Sequence, residues 1–280
     1  MVNLYKALEL ELLIKSAAIS NLSSRESRDE NAFLLSGFFH SLIVDFLKPN
    51  YFLEIGAFHA EFSRKIKPKL PDTQVFAFEA NPYNYKKFEG LVTNTGVKYI
   101  HTAISNEVGT VTFNVQHSID GETVDPIRGN NSLLERNQEN VAYEKVTVPC
   151  DTVDNRFASV VGVTDTLAMW IDVEGMAYEV FVGADAVLSR TKIILVELED
   201  HAYWENQRLS SDVIEHLYHK GFFPIARDFE YPGQYNVIFV HNDLLSNFQF
   251  RELLAQYYSN LRKSSDERRL VSKFLKKFKF

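Results

Sequence analysis

Residues 52–60 read FLEIGAFHA, an apolar run that reaches an acid and a glycine and then changes to a helical pattern. We interpret it as the first strand of an α/β domain and the sharp turn into the next helix. Gly56 lets the backbone turn sharply, and Glu54 would place a carboxylate beside a ligand that approaches the turn. Phe58 and Ala60 stand where a dinucleotide-binding loop has its second and third glycines. Taken alone, the stretch leaves both a ligand site and an ordinary structural turn open.

Apolar runs and helical patterns continue to alternate after this turn. The segments are, in order, helical at 61–70, apolar at 74–78, helical at 82–92 and apolar at 97–101. Such alternation requires right-handed crossovers and a parallel sheet. Glu79, after the second apolar run, follows Gly56 by 23 residues, close to the roughly 20 that separate a glycine turn from an acid that binds a ribose diol. The two signals together predict a nucleoside-binding domain.

The C-terminal half is predicted to complete the sheet. Apolar runs suited to core strands cover 166–171 and 192–198, and each is followed by a helical pattern. Two further runs, 222–226 and 236–240, flank a turn at 231–233 and predict an antiparallel hairpin.

A polar segment interrupts this order in the middle of the chain. The alternating runs 109–115 and 144–148 are expected to pair as strands. Residues 117–140 between them are rich in Gly, Asp, Asn and Ser, and long loops of this kind are usually functional or disordered. We expect a flexible wall over the ligand cleft.

Helical segments flank the predicted domain, which we place at 49–241. Residues 1–48 form a helical extension, with helices at 4–19 and 32–46, the second capped by Asp29 or Asn31. Residues 242–280 form a helix and a basic tail, in which Leu270, Phe274, Leu275 and Phe278 share one helical face. This tail could bind an anionic membrane surface peripherally or dock on the protein itself, and both interpretations stay open.

The charge distribution limits the classes of partner. Residues 261–280 hold eight basic and two acidic side chains, so the first 260 residues carry −13 of a chain whose net charge is −7. Such an acidic body argues against general nucleic-acid binding, which needs a cationic face. The single cysteine, Cys150, excludes an intramolecular disulfide, and no secretory leader or bilayer-length apolar run is present. We therefore expect a cytoplasmic protein.

The chemistry is expected at the carboxyl ends of the strands, where open α/β sheets bind their ligands. The side chains at these ends are Glu54, Glu79, Ser105, Asp172 with Glu174, and Glu197 with His201. Carboxylates that converge on one rim repel each other unless a cation, an amine or a sugar diol lies among them. The rim therefore predicts a cationic or hydroxyl-rich ligand.

From about residue 51 to 240, the chain resembles the FkbM-type S-adenosylmethionine-dependent methyltransferases. The matching motifs are Glu54-Ile-Gly-Ala, Phe78-Glu79-Ala80-Asn81-Pro82, Ala103-Ile-Ser-Asn with Gly109, Thr152-Val-Asp154, Ile171-Asp-Val-Glu-Gly175, Gly183-Ala184 and Val196-Glu197. The family usually has Asn and Gly where this chain has Phe58 and Ala60. The resemblance implies a Rossmann-like methyltransferase fold, with a mostly parallel sheet of about seven strands, an antiparallel C-terminal hairpin and a helical N-terminal extension.

The resemblance also implies S-adenosylmethionine as the cofactor and assigns its contacts. The turn at Gly56 and Ala57 would approach the methionine part, Glu79 would bind the ribose hydroxyls, and Asp172 would face the amino-acid end or the transfer site. The full set of implied cofactor-binding residues is Glu54, Gly56, Ala57, Phe58, Glu79, Ala80, Ala103, Ile104, Ser105 and Asp172. An acidic rim also suits a sulfonium and an ammonium group better than a pyrophosphate, which prefers basic groups and helix N-termini.

The candidate bases for methyl transfer are Asp172, Glu174 and His201. His201 has the most suitable ordinary pKa, although it could instead cap the turn after its strand. A divalent ion bridging Asp172, Glu174 and Glu197 is an alternative that the sequence does not favour. Asn130-Asn131-Ser132, in the polar segment, is a further candidate for contact with the cofactor or acceptor.

The function that we predict is methylation of a hydroxyl on a sugar or glycan-like small molecule. The sugar comes from the family resemblance alone. Two alternatives stay open: an inactive methyltransferase-like binding module, supported by Phe58 and Ala60, and a nicotinamide oxidoreductase, disfavoured by the missing glycines and the acidic rim.

Overall fold

The computed structural model describes the backbone of residues 4–20 and 22–277 and the side chains of residues 9–20 and 22–264. The strands are β1 (Tyr51–Ile55), β2 (Gln74–Glu79), β3 (Lys98–His101), β4 (Ala103–Ile104), β5 (Gly109–Ile119), β6 (Glu122–Thr123), β7 (Val141–Asp151), β8 (Leu167–Ile171), β9 (Thr191–Glu199), β10 (Phe222–Arg227) and β11 (Gln234–His241). The helices are α1 (Leu4–Ile19), α2 (Arg25–Ser41), α3 (Glu61–Ile66), α4 (Pro82–Thr93), α5 (Val153–Phe157), α6 (Ala177–Val182), α7 (Ser210–His219) and α8 (Phe248–Lys277).

Within the described residues, seven strands form the main sheet in the order β3-β2-β1-β8-β9-β11-β10. The pairs from β3 to β9 are parallel, and β11 is antiparallel to both β9 and β10. The predicted α/β class, the mostly parallel sheet and the C-terminal hairpin are therefore confirmed. β1 lies in the middle, between β2 and β8, so the strand order reverses beside it and opens a crevice at the carboxyl ends.

Every residue of β1 is buried, and its two faces contribute to two different cores. Leu53 and Ile55 pack with α5, α6 and α7 on one face of the sheet. Phe52 packs on the other face with α2, α3 and α8, where the rings of Phe38 and Tyr257 stack 4.5 Å apart. A parallel strand covered on both faces is apolar throughout, which explains the opening sequence pattern.

The described part of the chain also contains a smaller sheet with the order β4-β7-β5-β6. The predicted pairing of 109–115 with 144–148 belongs to it, but β5 and β7 are both longer and pair antiparallel along almost their whole length. Ala103–Ile104 is a short strand parallel to β7. This sheet packs through Phe113, Val115 and Val148 and stands beside the crevice.

Several helix bounds differ from the prediction for identifiable reasons. α2 begins at Arg25 because Ser24 caps it by accepting a hydrogen bond from the Ser27 amide at 3.2 Å. Asn31, predicted as a cap, lies inside α2 and donates to the Ser27 carbonyl. The helical pattern that follows the apolar run 166–171 is divided into α6 and a 3₁₀ turn, Val187–Arg190. α3 ends at Ile66, and a π-helix, Leu42–Leu47, follows α2.

Two predictions from the sequence concern membranes, one about bilayer-spanning segments and the other about the C-terminal tail. Across residues 4–20 and 22–277, no helix combines the length and hydropathy that a bilayer crossing requires. The backbone of α8 continues to Lys277. The predicted apolar face of the tail, at Leu270, Phe274, Leu275 and Phe278, lies outside the residues whose side chains are described.

Ser24→Ala is expected to lower the free energy of unfolding by about 1 kcal/mol, because it removes the side-chain acceptor at the start of α2. Urea unfolding followed by circular dichroism measures the change. Ser24→Asp keeps an acceptor and should leave stability nearly unchanged. Equal losses in the two variants would show that the cap is not what starts the helix.

Candidate functional site

A cleft opens at the crevice beside β1, with a volume of about 190 Å³. The ends of β1, β2 and β8, the strand β4 and the polar segment after β6 all contribute to its walls. The lining residues are Ile55, Gly56, Phe58, Phe78, Glu79, Ala80, Thr102, Ala103, Ile104, Phe113, Gly129, Asn131, Ser132, Leu133, Asp172, Val173, Glu174 and Met176. Most of the predicted cofactor residues are among them; Glu54, Ala57 and Ser105 are not.

The turn after β1 is fixed by backbone contacts on both sides. The amides of Gly56 and Ala57 both donate to the Phe78 carbonyl, at 3.0 and 2.9 Å, and the Asp172 amide donates to the Ile55 carbonyl at 2.9 Å. Gly56 has a φ of +79°, and a Cβ there would overlap the backbone carbonyl of Asp172. Only glycine fits this position, since any side chain would separate the ends of β1 and β8.

Phe58 and Ala60 also adopt the left-handed conformation, with φ of +47° and +49°. This conformation is costly for residues other than Gly, Asn and Asp, which agrees with the Asn and Gly that the family usually has at these positions. The backbone of Phe58 is held from both sides: its amide donates to Glu79 at 2.6 Å, and its carbonyl accepts from the Tyr99 hydroxyl. Its ring packs edge-on against Phe88.

Glu79 is buried at the cleft wall and is surrounded by donors. One oxygen accepts from the Phe58 amide, and the other accepts from the Asn81 amide at 2.8 Å and the Asn84 side chain at 3.3 Å. Burial raises the pKa of Glu79 to about 7, although these hydrogen bonds act in the opposite direction. An ionised carboxylate fixed in this way can accept further hydrogen bonds from vicinal hydroxyls.

Glu54 has a different place from the one that the sequence suggested. Its carboxylate accepts from the Ser63 amide at 2.8 Å, within the first turn of α3. It lines a neighbouring cavity of about 250 Å³, together with Ala57, and this cavity meets the cleft at Gly56, Phe58 and Asp172. Burial raises the pKa of Glu54 to about 7.

The polar segment after β6 forms one wall of the cleft and is tied down by amide side chains. Asn81 donates to the Pro126 carbonyl at 2.8 Å, and Asn84 donates to the Arg128 carbonyl at 3.0 Å. Asn131 accepts from the Gln116 amide at 2.8 Å. These hydrogen bonds anchor residues 126–131 of the wall, which we expected to be flexible. Asn131 and Ser132 line the cleft, whereas Asn130 is exposed.

The cleft also has an apolar part. Ala103 and Ile104, both predicted, line it together with Phe113 of β5 and Leu133 of the polar segment. Ser105 is buried behind them, and its amide donates to the Asp151 carbonyl. Phe113 was not among the predicted residues, because nothing in the sequence indicates that β5 folds back over the strand ends.

Asp172, Glu174 and Glu197 form a cluster in which one carboxylate oxygen of each lies within 4.8 Å of the others. Glu174 has a φ of +49°, and Ser132 holds this turn by donating to the Glu174 carbonyl at 2.6 Å. Gln234 donates to Glu197 at 3.0 Å. The nearest guanidinium nitrogen of Arg136 is 3.9 Å from Glu174. We call these three acids the acid cluster.

Burial and mutual repulsion raise the pKa values in the acid cluster. Burial raises the pKa of Asp172, and burial together with the charge of Asp172 raises the pKa of Glu174 to about 8. The same two causes raise the pKa of Glu197. They also raise the pKa of the nearby Glu199, to about 8. The acid cluster therefore holds protons at a higher pH than exposed carboxyl groups do.

His201 is not brought to the cleft. It is exposed on the loop after β9, beside Tyr203 and Gly233, and does not line the cavity. Two residues near the acid cluster were outside the predicted site. Glu199 could have been found, because it follows Glu197 by two residues and so shares its face of β9. Arg136 stacks on the Trp204 ring, a contact with no signal in the sequence.

The profile of the Methyltransferase FkbM domain matches residues 44–224 of the chain. Among curated proteins, no match is found.

Solved structures with a similar arrangement of elements are distant in sequence. A methyltransferase FkbM from Methylobacillus flagellatus is 11% identical over 78% of this chain, with a TM-score of 0.47. This chain spans about half the length of that protein, 50%. Aeropyrum pernix fibrillarin, solved with natively bound S-adenosyl-L-methionine, is 12% identical over 75% of this chain and 76% of its own, with a TM-score of 0.42. Likenesses of this size say nothing about the substrate of this chain.

Gly56→Ala is expected to lower the free energy of unfolding by at least about 2 kcal/mol, because the new methyl group meets the Asp172 carbonyl at a left-handed φ. Gly37→Ala is the control, since Gly37 lies within α2 and a Cβ there has no neighbour within 4 Å. That variant should gain up to about 1 kcal/mol. Chemical denaturation measures both; similar values would contradict the proposed backbone contact.

Glu54→Gln is expected to change how stability depends on pH. The raised pKa means that the folded chain keeps the Glu54 proton between about pH 4.5 and 7, while the unfolded chain loses it. This side chain therefore makes the free energy of unfolding fall as pH rises through that window. In the variant, the free energy of unfolding should fall less between about pH 4.5 and 7, by on the order of 3 kcal/mol. Urea unfolding at several pH values tests this, and Glu139→Gln, an exposed site, should behave as the wild type.

Proposed function

This chain belongs to the FkbM methyltransferase family, and we propose that it transfers a methyl group from S-adenosylmethionine to a hydroxyl of a sugar or glycan-like small molecule. The observation that carries the proposal is the pairing, in one cleft, of the fixed carboxylate of Glu79 with the carboxylates of Asp172 and Glu174. A cofactor with a ribose diol, a sulfonium and an ammonium group is complementary to such a cleft.

The walls of the cleft fit each part of this cofactor. Glu79 would accept the ribose hydroxyls, and Ala103, Ile104 and Phe113 offer an apolar surface to adenine. Gly56 and Asp172 would hold the methionine part. Among the described residues, no Lys, Arg or His lines the cleft, so a pyrophosphate group would have no basic partner there.

Bound S-adenosylmethionine supplies an electrophilic methyl group on a sulfonium. The chain must hold the acceptor hydroxyl in line with that methyl and remove its proton. As the new carbon–oxygen bond forms, the carbon–sulfur bond breaks and its electrons stay on sulfur, which leaves a neutral thioether.

We assign the proton to the carboxylate of Glu174 or Asp172, since both line the cleft. The pKa of Glu174, raised to about 8, is close to the value that favours a general base near neutral pH. His201 has no part in this proposal because it lies away from the cleft.

The acceptor class rests on the family and on the polar groups beyond the methionine end. Asp172, Glu174, Asn131 and Ser132 line the cleft and offer both donors and acceptors. Such a mixture suits the hydroxyl groups of a sugar. The acidic body supports a small-molecule acceptor over a nucleic acid.

Titration calorimetry with S-adenosylmethionine, S-adenosylhomocysteine and NAD tests the cofactor. We expect both sulfur compounds to bind and NAD not to bind. Transfer of labelled methyl groups to a panel of sugars then tests the reaction. Binding of NAD alone would contradict the proposal, and binding of none of the three would favour the inactive module instead.

Glu79→Gln should weaken binding of S-adenosylmethionine at least about tenfold at pH 8, because the amide offers one acceptor in place of two. In the wild type, affinity should increase about tenfold between pH 6 and 8, as a carboxyl with a pKa of about 7 ionises. The variant should show a flatter profile. Glu89→Gln, on the exposed side of α4, is the control and should keep both the affinity and the slope.

A further inference from the structure

The acid cluster has more carboxylates than a methyl donor needs. Asp172 and Glu174 line the cleft, but Glu197 lies behind them on β9 and does not line it. We propose that Asp172, Glu174 and Glu197 form a binding site for a hard divalent cation such as Mg²⁺ or Ca²⁺.

The three carboxylates are brought together by the sheet itself. β8 and β9 are parallel neighbours in which Ile171 pairs with Val196, so Asp172 and Glu197 each follow a paired residue at the same level. The left-handed turn at Glu174 brings the third carboxylate back towards them. Their oxygens lie within 4.8 Å of one another. Oxygens bound to one Ca²⁺ at about 2.3–2.6 Å can be up to roughly 5 Å apart, so this spacing suits a shared ion.

A second observation, outside these three residues, points the same way. Glu199 is only 4% exposed, and its Oε1 atom has no hydrogen-bond partner. Because it follows Glu197 by two residues on β9, its side chain projects from the same face. A buried carboxylate oxygen without a donor costs free energy unless a cation or the water bound to that cation is nearby. The Oε2 atom of Glu174 is likewise buried without a hydrogen-bond donor.

Positive charge from the chain is scarce at this place. Arg136 approaches Glu174 at 3.9 Å, a distance too long for a hydrogen bond, and its guanidinium stacks on Trp204. Gln234, the partner of Glu197, is neutral. Among the described residues, the charges that oppose these four carboxyl groups are those of Arg136 and, at Glu174, also of Arg128. Ligands that are all carboxylate oxygens select hard cations over the softer metals that histidine and cysteine bind.

The position of this site suggests its use. The acid cluster borders the cleft at Asp172 and Glu174, where the acceptor hydroxyl would have to lie, so a cation there could bind the hydroxyl oxygen and hold it for transfer. A carboxylate oxygen of Asp172 or Glu174 that does not bind the cation would then accept the hydroxyl proton. This role rests on the proposed function; the binding of the cation itself does not.

The test is cation binding by the full-length chain after treatment with a chelator, in the absence of cofactor. Mn²⁺ serves as the spectroscopic probe, because the paramagnetic resonance signal of the free ion is lost on binding; Mg²⁺ and Ca²⁺ are examined by thermal unfolding. We expect about one Mn²⁺ per chain, and a rise in melting temperature with each cation at about 1 mM. Glu197→Gln should weaken Mn²⁺ binding at least about tenfold. Glu205→Gln, which changes an exposed acid between β9 and α7, should leave Mn²⁺ binding unchanged.

The melting temperature of Glu197→Gln, compared with that of the wild type with and without cation, gives a test whose expected result differs from that of a variant that merely folds poorly. Without cation, the variant should melt at a higher temperature than the wild type, because one of the repelling acids is gone. With saturating cation, the order should reverse. The proposal is overturned if the wild type binds no Mn²⁺ at this concentration, or if Glu197→Gln and Glu205→Gln bind it equally. Calorimetry with S-adenosylmethionine, run separately, tells this failure from a failure of the proposed function.

Discussion

The backbone contact between Gly56 and Asp172 is the constraint on which the site depends. The absence of a side chain at Gly56 lets the turn after β1 lie against the Asp172 carbonyl, while its amides bond to Phe78 at the end of β2. Three strand ends are thereby held within hydrogen-bond reach of one turn. Glu79 and Asp172 follow from this arrangement, because each stands at or just beyond the last residue of a strand that the turn contacts. A looser turn would separate the carboxylates that give the cleft its charge.

The same turn shows that residues other than glycine can be held in left-handed backbone conformations. Phe58 and Ala60 hold left-handed conformations that Asn and Gly would adopt at lower cost. The surrounding hydrogen bonds, from the Phe58 amide to Glu79 and from Tyr99 to the Phe58 carbonyl, hold the backbone in place. The poor match to a glycine-rich loop therefore lies in the side chains, since the backbone of this turn takes the left-handed conformations that glycine favours.

The sequence was sufficient to predict the main sheet and most of the cleft. Alternating apolar runs and helices allow few topologies, and acids at strand ends must meet at one edge of a parallel sheet. It was not sufficient for contacts that join distant segments. The second sheet, the Phe113 wall and the stacking of Arg136 on Trp204 depend on how β5 to β7 fold over the crevice, which no local pattern encodes. Glu54 shows the ambiguity of such a carboxylate, which can serve a ligand or a helix start: it bonds to Ser63 and lines the neighbouring cavity, and its contact with the cofactor stays a prediction.

A crystal structure of the chain with S-adenosylhomocysteine tests most directly whether this acidic cleft is a cofactor site. We expect both ribose hydroxyls within hydrogen-bond distance of Glu79 and the adenine ring against Ile104 and Phe113. The amino-acid end should lie at Gly56 and Asp172. A ligand bound elsewhere, or one in this cleft whose ribose does not contact Glu79, would contradict the account.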